Sequence, residues 1–321
     1  MDDRFTRFRI CIAALLLALC CGCSQTEPED GRSAADGAGG AGESRPVALR
    51  IGGVSAGAVV TRSQNTLLDK EGDKIGLFLQ GSDHYDAISN REFTYATPFW
   101  TSADGLVMLT EQPAALAATY PYRDGQSTVQ ELRTQEYDSR DDFLYCRFAA
   151  NKRDASVVLN MTRAYARLCF RLSPQTGDNA YTGKGIIDEF RFTASGIVLR
   201  AQLDLFSGAL TSEAPQADYT FVSVKNRGKQ FTADAPLEVS FLAVPAVLTG
   251  DITVEAVIDG KRVSAGVSAT RLCGVTGRMV PGTSYDVNIV MNPSGMTLGQ
   301  VSTQQWTEFP VRGAGGDYEM E

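Results

Sequence analysis

Few side chains in this sequence are placed to do chemistry. There is one histidine, His84, which excludes HExxH zinc sites, other His-rich metal centres and histidine dyads. It stands in Gly81-Ser82-Asp83-His84-Tyr85, a loop composition, and no GxSxG elbow accompanies it, so Cys–His and Ser/His/Asp nucleophiles lack support. Two acidic groups, Asp138/Asp141/Asp142 and Asp69/Glu71/Asp73, could supply the paired carboxylates of a glycosidase, which must lie about 5–10 Å apart in a cleft. They lack the glycine and terminal glutamate of an EF-hand, and solvated, turn-forming loops explain them more simply. The glycines of residues 37–42 lack the Lys-Ser/Thr of a phosphate loop. No enzyme and no cofactor is predicted. A net charge of −8 without any Lys/Arg-rich run also argues against nucleic-acid binding.

The seven cysteines look like a redox signal until their positions are considered. Arg4, Arg7 and Arg9 precede an apolar run over residues 10–19, too short for the ~20 residues of a bilayer-spanning helix. This predicts a signal peptide over residues 1–22, and its ending resembles a bacterial lipobox. Cys23 is the expected lipidation site, because Gly22 supplies the small residue favoured before the cut; Cys20 and Cys21 are the alternatives. Cys11, Cys20 and Cys21 would leave with the peptide. Of the remaining three, Cys146 shares a strand face with Leu144 and Phe148 and is expected in a core. Cys169 shares its face with Arg167 and Arg171 and is expected outward or at an interface. Cys273 lies in a turn-rich region. No CxxC remains after the leader, so free thiols are expected.

Residues 24–44 contain no Leu, Ile, Val, Phe, Tyr or Trp and cannot offset the entropy of ordering. A flexible tether is predicted over residues 23–45, spanning on the order of 25 Å. Glu27, Glu29 and Asp30 resemble the surface-export signal of Bacteroides-type lipoproteins; a solvated linker explains them equally well.

From Pro46 onward the pattern is that of strands. Val254, Ala256 and Ile258 alternate with Thr253, Glu255 and Val257; after Asp259-Gly260, Val263, Ala265 and Val267 alternate again. Asp-Gly between alternating runs is a strong hairpin signal, since both residues tolerate positive φ. Tyr285, Val287, Ile289 and Met291 form a further strand after Pro281-Gly282, and Ala166, Leu168, Phe170 and Leu172 another. Only residues 113–118 suggest a helical turn, and they too could be a strand. The fold class is therefore all-β, built from β-sandwiches. The charged stretch at residues 151–154 suggests an N-terminal sandwich over residues 46–152 and a C-terminal one over 153–311, with a flexible tail at 312–321.

Ordered landmarks across this region resemble the fimbrillin family of Bacteroides-group bacteria, in its major-fimbrillin and Mfa-like branch. They are Val60-Thr61-Arg62, then Gly72-Asp73-Lys74-Ile75-Gly76-Leu77-Phe78, Phe93-Thr94-Tyr95 with Trp100, and Ala118-Thr119-Tyr120-Pro121-Tyr122. Residues 157–172, Leu203-Asp204-Leu205, Val244-Pro245 and the closing Pro281-Gly282, Tyr285 and Trp306 complete the series; near Arg163 the family's frequent histidine is absent.

The resemblance implies two tandem transthyretin-like β-sandwich domains, transport to the outer membrane with Cys23 in its lipid, and a part in fimbriae. It implies fimbrial subunits as partners through β-strand addition, and a host or bacterial surface receptor. Residues 47–60 match the first-strand region, with Val47, Leu49 and Ile51 alternating against Ala48 and Arg50. Cleavage after an arginine there would involve Arg45 or Arg62. An ordinary first strand of a closed sandwich is the plainer reading. The competing function is a surface glycan-binding lipoprotein, for which Trp100, Tyr120, Tyr122 and Trp306 are the candidate sugar platforms; exposure of those rings would favour it.

Overall fold

The computed structural model describes residues 45–56 and 66–307. Cys23, Arg62 and the expected leader, tether and tail lie outside them, apart from Arg45 at the edge. The described chain is all-β. Its first half supplies Val47–Ala48 (β1), Arg50–Ala56 (β2), Thr66–Leu67 (β3), Lys74–Leu79 (β4), Ile88–Ala96 (β5), Phe99–Thr101 (β6), Met108–Leu109 (β7), Ala114–Tyr120 (β8), Val129–Arg133 (β9), Gln135–Glu136 (β10), Leu144–Ala150 (β11) and Ser156–Arg163 (β12). The second half supplies Ala166–Pro174 (β13), Ile187–Ala194 (β14), Arg200–Asp204 (β15), Leu210–Ser212 (β16), Tyr219–Ser223 (β17), Leu237–Ala243 (β18), Ile252–Ile258 (β19), Lys261–Val267 (β20), Thr283–Asn292 (β21) and Gly295–Gln305 (β22).

Period-2 patterning sets which face each strand buries. Ile252, Val254, Ala256 and Ile258 of β19 all point inward, as do Tyr285, Val287, Ile289 and Met291 of β21. Asp259 and Gly260 adopt φ of 50° and 75°, joining β19 to β20 in register from Ile258–Lys261 to Ile252–Val267. Positive φ at both turn residues matches the right-handed twist of the hairpin they connect.

Eight strands form the first sheet, in the order β3-β2-β12-β11-β8-β4-β5-β6, around a core that includes Ile75, Leu77, Phe93, Trp100 and Leu159. A five-stranded sheet (β10-β18-β13-β21-β22), all but β10 from the second half, and a four-stranded sheet (β17-β14-β19-β20) share one core. Phe170, Phe192 and Phe241 meet at its centre, with ring centroids 4.7–6.4 Å apart. Edge-to-face and tilted rings at these distances add to the burial of large apolar surfaces. A third core joins the halves: Phe78, Ala117 and Phe143 pack with Leu203, Leu242, Val244 and Trp306.

Long-range pairing and packing set the surroundings of the expected boundary, of residues 113–118 and of Cys169. The boundary at residues 152/153 falls between β11 and β12, which pair with each other within the first sheet. The charge cluster there is a short 3-10 turn, Lys152–Asp154, with Asn151 Oδ1 accepting from Arg153 N. Moreover β9 and β10, from the first half, pair with β15 and β18 of the second. Residues 113–118 extend into β8, whereas the five-residue helix Ala269–Cys273 is too short to show a period; Ser268 Oγ caps it by accepting from Arg271 N at 3.2 Å. Cys169, expected outward or at an interface, shares the face of Arg167 and Arg171 and is fully buried.

Candidate functional site

The first strand is seated by a change of partner. Val47 and Ala48 pair antiparallel with Leu109 and Met108, and Leu49 N donates to Val107 O at 2.8 Å. Arg50 N then donates to Ala155 O at 2.7 Å, and β2 continues parallel to β12 from Ser156 to Met161. Leu49 and Ile51 enter the core with Arg50 outward, the expected alternation. Val47 departs from it: at the edge of a two-stranded ladder it is 42% exposed. Gly52 is an extra residue opposite the Val157–Val158 step. This bulge shifts the phase, so Val54 rather than residue 53 fills the next core position. Burial of Leu49, Ile51 and Val54 stabilises this seat by about 5–9 kcal/mol, at 1.5–3 for each large apolar side chain.

The other edge of β2 is held by a carboxylate. Asp69 Oδ1 accepts from Val54 N and from Trp100 Nε1, both at 3.0 Å. It thus ties β2 to β6, two strands far apart in the order of the same sheet. Gly53 leaves room for it, since a Cβ there would sit 3.3 Å from Asp69 Oδ2.

The remaining acidic residues serve the fold, not a shared cleft. Asp73 closes its own turn, accepting from Lys70 N, with Gly72 at φ 82°. Glu71 accepts from Thr97 N and Oγ1, which lowers its carboxyl below the usual range. Asp138 is held well below it by Arg140, with Lys225 assisting. Asp142, expected on a solvated loop, is fully buried 2.9 Å from Arg163 Nε. Burial raises its carboxyl to about 7, against the opposing pull of Arg163 and Arg123. His84 is exposed in the Ser82–Tyr85 turn and joins none of these groups.

Arg163 stands where the halves meet. Its guanidinium carbon lies 3.9 Å from the centre of the Trp306 ring, and Nη1 donates to Trp306 O at 2.7 Å. Tyr137 meets the same indole edge-on, 5.7 Å between centroids, and Arg167 bonds Glu238 beside it. Neither Arg163 nor Asp142 was marked as a junction by its sequence neighbours. The available signal was an arginine in an otherwise strand-forming run.

A family model described as fimbrillin-like matches residues 61–306, from just before β3 to the tryptophan that completes the third core. The chain belongs to the fimbrillin-like family. Two solved structures share its fold. One is a candidate cell adhesion protein of Bacteroides uniformis, 16% identical with a TM-score of 0.57, the match covering 81% of this chain and 99% of that one. The other is a candidate cell adhesion protein of Bacteroides ovatus, 12% identical with a TM-score of 0.56, covering 81% and 98%. No curated protein matches the sequence.

The landmarks of this fimbrillin-like chain are mostly core positions: Ile75, Leu77, Phe78, Phe93 and Tyr285 are all buried. Trp100, Tyr120 and Trp306 are buried too, which removes three of the four candidate sugar platforms. Tyr122 is half-buried. Of the candidate cleavage sites, Arg45 is exposed two residues before β1.

Proposed function

We propose that this fimbrillin-like protein is a non-enzymatic subunit of cell-surface fimbriae, serving as shaft, anchor or tip, and that it joins its neighbours by β-strand addition. The observation that carries this reading is the seat of the first strand. One segment near the start of the described chain makes its long ladder with a single partner, β12, and places Leu49, Ile51 and Val54 in the core. A neighbour's strand could take that seat, with main-chain hydrogen bonds supplying affinity and the side-chain pockets setting register. Cleavage after Arg62 would sever the resident strand from the rest of the domain, whereas cleavage after Arg45 would leave it as a new N-terminal strand. Lipidated Cys23 would hold the protein in the outer membrane, and the adhesion role named for the two Bacteroides structures fits a surface receptor as a further partner.

The test compares the full chain with one lacking residues 46–62 by electron microscopy. Filaments formed only after removal of the strand are the expected result. Strict monomers in both cases would count against strand addition. Loss of membrane fractionation in Cys23→Ser is the parallel expectation for the anchor.

A further inference from the structure

A cleft of about 560 Å³ opens on the first sheet; Glu92, Thr94, Thr101, Ser102, Asp104 and Tyr122 contribute to its walls. The volume lies within the ~300–1,000 Å³ typical of small-molecule sites. Its floor is rigid. Glu92 and Thr94 stand two apart on β5 and so on one face, and Thr94 pairs with Thr101 of β6. The backbone at Tyr122 is tied to β4 by its N–H, which donates to Lys74 O at 3.0 Å. Ser102 Oγ accepts from Asp104 N at 3.3 Å, shaping the turn that carries Asp104.

The chemistry of the walls is selective. Thr101 and Ser102 offer hydroxyls and Asp104 a carboxylate, while Glu92 Oε1 accepts from Thr94 Oγ1 at 3.2 Å and pairs with Lys74, which leaves its second oxygen as the acceptor facing a ligand. No basic side chain lines the cleft, and the nearby Lys74 is paired with Glu92 at 2.8 Å. Burial raises the Tyr122 hydroxyl's pKa, and Asp124, Glu92 and Asp104 push it in the same direction against Lys74, as a negative surrounding requires. An anionic ligand would be repelled there. A ligand with many hydroxyls and a positive charge would satisfy the acceptors and lay a C–H face or an ammonium against the Tyr122 ring.

We propose that this cleft binds a short saccharide bearing free amines, with Tyr122 as its stacking face and Glu92 and Asp104 as acceptors for its ammonium and hydroxyl groups. This goes beyond the subunit reading and does not rest on strand addition. The site uses β5, β6 and two loops, and none of its walls comes from the first strand.

Calorimetric titration of the full-length protein in detergent with a glucosamine trimer tests the proposal, using the N-acetylglucosamine trimer as the uncharged comparator. Saturable binding of the amine form is expected, about tenfold tighter than the acetylated form. Tyr122→Ala should weaken it about tenfold and Asp104→Asn about threefold, the latter in an exposed turn where folding is not at stake. Absence of saturable binding at millimolar trimer, equal binding of the acetylated trimer, or binding unchanged in Asp104→Asn and Tyr122→Ala would each overturn it.

Discussion

Arg163 sits over Trp306, 3.9 Å from guanidinium carbon to ring centre, while Nη1 of the same side chain donates to the Trp306 carbonyl. One end of this contact is the last residue of β12 in the first sheet; the other follows β22 of the second half. Asp142 approaches Arg163 from the segment before β11, so three distant parts of the chain converge on one buried cation. Such a pair gives little net stability when complete, because desolvation offsets the Coulomb attraction, but breaking it strands a charge.

Arg163→Ala is therefore expected to destabilise the protein by about 3–5 kcal/mol. The double variant Asp142→Leu, Arg163→Leu should cost less than that single change, since neither charge is left unpaired. Urea denaturation followed by circular dichroism measures both; a double variant less stable than Arg163→Ala would contradict the argument.

At the first strand, Ile51→Ala should cost about 2–5 kcal/mol, as for other buried large-to-small changes. Exposed Arg50→Ala, one residue away, should stay within about 0.5 kcal/mol. Equal losses at the two positions would show that side-chain burial does not hold β2 in place.

Asp69 supplies one oxygen to two donors on different strands. Replacing it with Ala leaves Val54 N and Trp100 Nε1 without that acceptor, at a cost of about 1–3 kcal/mol. Asp69→Asn retains an acceptor oxygen and should recover part of the loss. The emission maximum of Trp100, read in a Trp306→Phe background, should shift in Asp69→Ala and much less in Asp69→Asn.

The thiols give a pH dependence. Burial pushes Cys146 and Cys273 up to about 12, against an unfolded value near 8.5. The folded state thus keeps protons that the unfolded chain releases, and stability falls as pH rises from about 8.5 towards 12. The effect is absent below pH 8. Replacing both cysteines with Ala should reduce the slope of melting temperature against pH here, the remainder coming from Cys169, Tyr165 and Tyr181, which burial also raises. Iodoacetamide should modify the native thiols far more slowly than the unfolded ones at pH 8.

Local pattern determined much of this protein. Alternation in β19, β20 and β21 specified both the strands and their inward faces, because side-chain direction in a strand depends only on odd or even position. Asp259-Gly260 specified its turn because few residue pairs accept positive φ twice. The single histidine and the acidic balance narrowed the chemistry before any fold was considered. Those signals are local, and they survive without knowledge of what lies across the sheet.

Tertiary structure alone decided what covers the second face of each strand. Arg167 and Cys169 read as an outward or interface face, and packing decides between the two: both are buried, with the Arg167 guanidinium over Tyr137 and Trp306. Asp142 reads as part of a solvated acidic loop and becomes the partner of a cation 21 residues later. Pairing between β9 and β15, or between β10 and β18, is likewise a long-range choice that leaves no mark in either strand's own alternation. A sequence states which face of a strand is apolar, but only packing determines whether the polar face meets water or another part of the chain.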